Sequence, residues 1–187
     1  MVSTDQITGI ILAGGKSSRM GQDKGLMEYQ GQKLIEYSID VLRPVCDELL
    51  ISANQPGYEG FGIPVVADHY EDCGPVGGLH ASLRASKHEW NLVVGCDTPF
   101  LNKKLLYLLL SNKEGYKAVI PNHSKGMEPL AALYHRDMAA FFEQKIATGD
   151  LKLHRIVLEQ KVKLLDVSDL LTEFPRLFEN FNSPEDL

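Results

Sequence analysis

Short apolar runs alternate along the chain with segments of helical period. Ile7–Ala13 is a β-branched run that leads into glycines, as a buried central strand does. Leu34, Ile35, Tyr37, Ser38, Val41, Leu42 and Val45 recur at intervals of three and four, which predicts a helix ending near Pro44. Glu48–Ser52 and Ile63–Val66 read as a second and a third strand. Leu79–Ala85 continues a helix opened by Pro75, and Trp90–Cys96 is another buried strand, closed by Asp97-Thr98-Pro99. Leu105–Leu110 is so continuously apolar that one side must pack on a sheet. Beyond Tyr116 the order loosens into Ala118–Ile120, Leu130–Tyr134, a helix near Met138–Ala147, and Val162–Val167.

Strands alternating with helices imply right-handed crossovers and a sheet covered on both faces. The expected fold is α/β, a three-layer Rossmann-like arrangement with a mostly parallel sheet and one antiparallel strand from the irregular second half. No repeat, low-complexity stretch or linker divides the chain, so a single domain over residues 1–187 is expected. In open sheets of this kind ligands sit outside the carboxyl ends of the strands. Gly14–Lys24, Asn54, Asp68 and Asp97 each follow a predicted strand, so they are expected to converge there.

The composition narrows the choice of ligand. With 187 residues, 44% hydrophobic and 24% charged, the chain can bury a core and is no disordered segment. Its net charge of −6 argues against nucleic acid, which needs a track of Lys and Arg. Three cysteines without a CxxC pair argue against a disulfide framework or a structural zinc, and point to a reducing cytoplasm. There is no signal-like start and no apolar run near the ~20 residues that span a bilayer, so no membrane association is expected. The six histidines have no metal-ligand spacing, and His154 reads as a surface helix residue.

Against that acidic background the stretch Leu12–Lys24 is locally positive, with Lys16, Arg19 and Lys24 against Asp23 alone. Glycines at Gly14 and Gly15 let the backbone approach a phosphate and aim successive N–H groups at it. A Walker A loop fails because Ile10 stands where its first glycine belongs, and the dinucleotide fingerprint fails at Lys16. Asp97 has two readings from the residues alone: a Mg²⁺ ligand at the sheet edge, or the cap of a helix starting near Asn102. Asp68 and Asn54 can likewise be ordinary turn residues. Ser183-Pro184 with two following acids reads as a helix start.

Leu12-Ala13-Gly14-Gly15, Ser17, Arg19-Met20-Gly21 and Asp23-Lys24 together resemble the loop of the molybdenum-cofactor guanylyltransferase (MobA-type) nucleotidyltransferases, matching every specified position. Sugar-nucleotide pyrophosphorylases share only the start. The resemblance implies that Leu12, Ala13, Gly14 and Gly15 hold the base and phosphates, with Arg19 and Lys24 stabilising charge on the triphosphate. It implies that Asp97 binds Mg²⁺, that Asn54 and Asp68 contact the nucleotide, and that Asn180 and Asn182 reach the pterin. Gly74–Leu79 resembles a family segment that opens a helix toward the anionic site. Glu128 stands where relatives often carry Gln. His123, Lys125 and Arg136 are left without a role.

The function so implied is transfer of GMP from GTP to molybdopterin, with residues 7–100 binding the nucleotide and residues 101–187 the pterin substrate. The alternatives are the same chemistry with CTP, or a non-catalytic nucleotide-binding adapter. Transient contact with cofactor-insertion proteins or molybdoenzymes is a further implication of the resemblance.

Overall fold

A computed structural model describes residues 6–13 and 23–181 of the chain. Its strands are β1 (Ile7–Leu12), β2 (Glu28–Tyr29), β3 (Gln32–Lys33), β4 (Glu48–Ser52), β5 (Val65–Val66), β6 (Trp90–Gly95), β7 (Ala118–His123), β8 (Gly126–Met127), β9 (Ala131–His135) and β10 (Val162–Asp166). The helices are α1 (Leu34–Leu42), α2 (Gly74–Ala85), α3 (Lys103–Leu110), α4 (Met138–Ala147), α5 (Leu153–Ile156) and α6 (Ser168–Glu173).

The main sheet runs β10-β7-β9-β6-β1-β4-β5, with β8 paired to β7. β1 lies inside the sheet, parallel to its neighbours β4 and β6, and is buried along nearly its whole length. A strand covered on both faces has no polar side to present, which is why Ile7–Leu12 lacks polar alternation. β9 runs antiparallel to both β6 and β7, which leaves β7 and β10 parallel to the first half. The expected antiparallel strand is therefore β9, and the two-residue β8 is a second one that hydrophobic pattern is too short to reveal.

Each face of the sheet carries its own core. Ile35, Ile39 and Leu42 of α1 and Leu105, Leu106 and Leu109 of α3 pack with Ile11, Ile51, Leu92 and Val94 on one side. On the other, Val76, Leu79 and Leu83 of α2 and Met138, Ala139 and Phe142 of α4 pack with Ile10, Leu50, Val93 and Tyr134. This is the three-layer α/β arrangement, and α3 does turn one side to the sheet while Tyr107 stays exposed. Burying a side chain as large as Phe142 contributes about 1.5–3 kcal/mol, so these two faces supply most of the drive to fold. Among the described residues no helix is long and apolar enough to cross a membrane.

Besides β8, a small hairpin escaped the hydrophobic pattern. β2 and β3 form a hairpin whose turn residues Gln30 and Gly31 both have positive φ, 50° and 82°. That is the turn geometry matched to strand twist, and Gly31 meets half of its demand at no steric cost. The hairpin lies beside the carboxyl edge of the sheet, where Tyr29 packs edge-on to Phe181 with ring centroids 4.7 Å apart.

Candidate active site

The backbone ladder continues past the ends of the central strands and draws their exits together. Ala13 N–H donates to the Ser52 carbonyl, Ala53 N–H to that of Val66, and Cys96 N–H to that of Leu12. Residues 13, 53–54, 67–68 and 96–97 thus leave the sheet side by side, although they are far apart in sequence.

Lys24 and Asp97 face each other at this edge, with Nζ 3.9 Å from Oδ2 and side chains 23% and 30% exposed. Asp97 does not cap α3. That role belongs to Asn102, whose Oδ1 accepts the Leu105 N–H at 3.1 Å. The carboxylate is instead left at the mouth of the cleft. Its turn is fixed by the Gly95 carbonyl, which accepts from Thr98 Oγ1 at 3.1 Å and from Ser38 Oγ of α1 at 3.2 Å. Gly95 is glycine because a Cβ there would stand 2.9 Å from Asp97 Oδ1. Burial raises the Asp97 carboxyl above its ordinary range, and the Lys24 ammonium opposes that rise. A half-buried carboxylate that is costly to ionise is well served by a cation.

Lys24 is the first residue of a 3-10 turn, Lys24–Leu26, capped by Asp23, whose carboxylate accepts the Gly25 N–H at 3.1 Å. Asp23 is in turn bound by the hydroxyl of Tyr58, a residue that no motif or periodicity singles out. Its place between Gly57 and Glu59 looks like that of any loop aromatic. Its role depends on a contact spanning 35 positions, which no local pattern signals.

Asn54 and Asp68 meet on the other side of β1's exit, where the Asp68 side chain lies against the first turns of α2. A Cβ at Gly77 would stand 3.1 Å from Asp68 Oδ2, and one at Gly78 would stand 3.3 Å from Leu12 Cδ2 and 3.6 Å from Asp68 Oδ1. Leu12, Asp68, Asn54 and the start of α2 therefore form one wall, with the N-terminal, positive end of the helix dipole beside the carboxylate.

The C-terminal segment closes the opposite wall. Phe181 N–H donates to the Asp97 carbonyl at 2.9 Å, and its ring packs against Tyr29 and Phe100. Asn180 is exposed immediately before it. His123, at the end of β7, stacks on Phe178 with centroids 5.4 Å apart. The Lys125 N–H donates to His123 Nδ1, so Nε2 carries the proton and donates to Glu128 Oε1 at 3.0 Å. Glu128 thus braces the β7–β8 hairpin.

Of the residues singled out from sequence, Leu12, Ala13, Lys24, Asn54, Asp68, Asp97 and Asn180 all fall on this edge. Gly14, Gly15, Arg19 and Asn182 lie outside the described residues. Arg136 sits at the opposite edge, its backbone N–H on the Glu89 carbonyl and its Nη1 on the Ser86 carbonyl, so it is remote from this cleft. His154 is exposed on α5 as expected.

Known proteins of similar sequence and fold show the family. Residues 9–164 match the MobA-like NTP transferase domain. The molybdenum cofactor guanylyltransferase of Yersinia pseudotuberculosis is 37% identical over 187 residues, covering 96% of this chain and 92% of its own. That of Vibrio campbellii is 35% identical over 192 residues, covering 100% and 96%. The crystal structure of molybdopterin-guanine dinucleotide biosynthesis protein A from Archaeoglobus fulgidus superposes with a TM-score of 0.80 at 26% identity, over 96% of this chain and 94% of that one. Matched along nearly its whole length, the chain belongs to the MobA-like nucleotidyltransferase family.

Proposed function

We propose that this chain transfers GMP from GTP to the terminal phosphate of molybdopterin, releasing pyrophosphate and forming the guanine dinucleotide cofactor. The observation that carries the reading is the Lys24–Asp97 pair, 3.9 Å apart at the carboxyl edge of a sheet whose family is nucleotidyltransferase. A cytoplasmic protein forming one catalytic unit is part of the same reading, with residues 7–100 toward the nucleotide and 101–187 toward the pterin.

In the reaction a phosphate oxygen of the acceptor attacks the α-phosphorus of GTP. The bond from that phosphorus to the bridging oxygen breaks, and the electron pair leaves with pyrophosphate. The attacking oxygen is already anionic, so no general base is needed. The work left to the protein is alignment and neutralisation of charge. Lys24, and Arg19 by family resemblance, stabilise negative charge that grows on the departing group. A fixed cation there counts for more in the transition state than in the ground state. The Ala13 N–H is already taken by the Ser52 carbonyl, so in this reading the amides of Gly14 and Gly15 take the phosphates, Leu12 and Ala13 line the site beside Asn54 and Asp68, and Asn180 and Asn182 present amides that donate and accept along a pterin edge.

Asp97 fits a Mg²⁺ ligand. Among the described residues no group of three His, Cys, Asp or Glu could hold a metal by itself. Mg²⁺ needs no such cage, since it takes one or two carboxylates and fills its octahedron with substrate phosphates and water. When bound, the ion would neutralise phosphate charge at the reacting centre.

Pyrophosphate release assayed in parallel with GTP and with CTP, molybdopterin present, tests the proposal. Release with GTP is expected. Preference for CTP would overturn the guanylyl assignment while leaving nucleotidyl transfer intact, and silence with both would overturn the enzyme.

A further inference from the structure

The glycine-rich loop leaves β1 at Ala13 and rejoins the described chain at Asp23, and one buried hydroxyl reaches both ends. Tyr58 is fully buried. Its Oη lies 2.5 Å from Asp23 Oδ1 and 3.3 Å from the Ala13 carbonyl oxygen. A phenol has one proton, and the shorter contact, with the Asp23 carboxylate, takes it. Burial, and then the bond to Asp23, push the hydroxyl well above the usual phenol range, so it stays a donor.

The same Asp23 oxygen accepts the Gly25 N–H and closes the turn that begins with Lys24. Packing leaves that turn little freedom. A Cβ at Gly25 would stand 2.6 Å from Tyr58 Oη and 3.3 Å from Cys96 Sγ, next to Asp97 in the chain. Gly57, with φ of 112°, is similarly tight, since its Cβ would stand 2.8 Å from Leu26 Cδ1 at the end of the turn. A phenylalanine would fill the volume of the Tyr58 ring equally well. A buried hydroxyl is tolerated only with a partner, and here the partner is the carboxylate that caps the lysine's own turn.

We propose that Tyr58 is a positioning residue for nucleotidyl transfer, its hydroxyl clasping Asp23 and so holding Lys24 opposite Asp97. The inference rests on the proposed reaction and adds a residue to it. Tyr58 touches neither substrate, and it acts through Asp23 on the ammonium that meets the triphosphate.

A double-mutant cycle tests it. Wild type, Tyr58→Phe, Lys24→Ala and the double variant are compared by kcat/KM for GTP, with GTP binding measured in parallel by calorimetry. Tyr58→Phe is expected to lower kcat/KM about tenfold or more, because small misplacements of a charge-stabilising group are costly. The KM for molybdopterin should stay within about twofold of wild type. In the Lys24→Ala background the same change should cost less than about twofold, since the group it positions is gone. Equal losses in both backgrounds, or a Tyr58→Phe enzyme within about twofold of wild type, would overturn the clasp. Should Tyr58→Phe fail to fold, Asp23→Asn goes through the same cycle, because a neutral amide oxygen of the same size is a weaker acceptor for the Tyr58 hydroxyl. The same pattern supports the clasp and equal losses overturn it. A wild-type protein that neither binds nor turns over GTP would defeat the reaction itself, an outcome separate from either of these.

Discussion

Asn54 and Asp68 hold each other by a pair of hydrogen bonds: Asn54 Nδ2 donates to Asp68 Oδ2 at 2.9 Å, and the Asp68 N–H donates to Asn54 Oδ1 at 2.8 Å. The pair bridges the exits of β4 and β5, and it holds the Asp68 carboxylate beside Gly77 and Gly78 of α2. Asn54→Ala removes both bonds and frees the carboxylate to rotate. Because the pair is exposed, the loss in stability should be under about 1 kcal/mol. The KM for GTP should rise about tenfold while kcat changes little, which steady-state kinetics would detect.

Asp97→Asn separates activity from stability. Turnover should fall roughly a hundredfold or more, in line with the loss of one preorganised electrostatic contact. Stability should move the other way. The folded carboxyl holds its proton to higher pH than the unfolded one, since burial outweighs the attraction of Lys24. Between the two pKa values the folded state binds more protons, so stability falls as pH rises through that window, and the ionised group costs stability at neutral pH. Asparagine removes that cost. The ligand-free variant should melt at the same temperature as wild type or up to about 4 °C higher, as differential scanning fluorimetry would record.

Gly78→Ala probes the wall formed by Leu12, Asp68 and the start of α2. Alanine is favoured over glycine inside a helix by about 1 kcal/mol, so propensity alone predicts a more stable protein. The added Cβ, however, would stand 2.7 Å from Ser52 Oγ and 3.3 Å from Leu12 Cδ2. The groups that must yield belong to the site or abut it. GTP affinity should drop several-fold, and isothermal titration should show it even if the melting temperature holds.

His80 makes stability depend on pH below neutrality. It is buried on α2 with neither ring nitrogen hydrogen-bonded, among His69, Tyr70 and the carboxylate of Glu143 at 3.9 Å. Burial lowers its pKa, with Glu143 opposing and the His69 and Arg84 charges adding to the depression. The unfolded chain therefore takes up a proton near pH ~6.5 that the folded chain refuses, and stability falls as pH drops through that value. Urea denaturation from pH 7.5 to 5.5 should show stability falling as pH drops, with about 1.4 kcal/mol per pH unit as the ceiling for one proton, and His80→Leu should flatten the slope. Equal slopes in both proteins would assign the effect elsewhere.

Hydrophobic pattern located β4 at Glu48–Ser52 and α4 at Met138–Ala147 with the observed ends, because in both the apolar run and the element coincide. It overlooked β2, β3 and β8, which are two residues each and held by turns rather than by burial. The places of Asp68 and Asp97 at the sheet edge were legible because each directly follows a strand. The capping alternative for Asp97 falls away only in three dimensions, where Asn102 caps α3. Asp68 turned out to pair with Asn54, so the two turn residues are halves of one bracket. Tyr58 was illegible for a different reason: its meaning lies wholly in Asp23, on a segment it meets only after folding.

In the proposed complex, triphosphate oxygens lie between Lys24 and Asp97. A crystal structure with GTP and Mn²⁺ in place of Mg²⁺, read by anomalous scattering, would locate both. A manganese peak is expected within about 2.3 Å of an Asp97 carboxylate oxygen, with phosphate oxygens between it and the Lys24 ammonium. Nucleotide bound elsewhere on the sheet edge, or manganese coordinated away from Asp97, would contradict it.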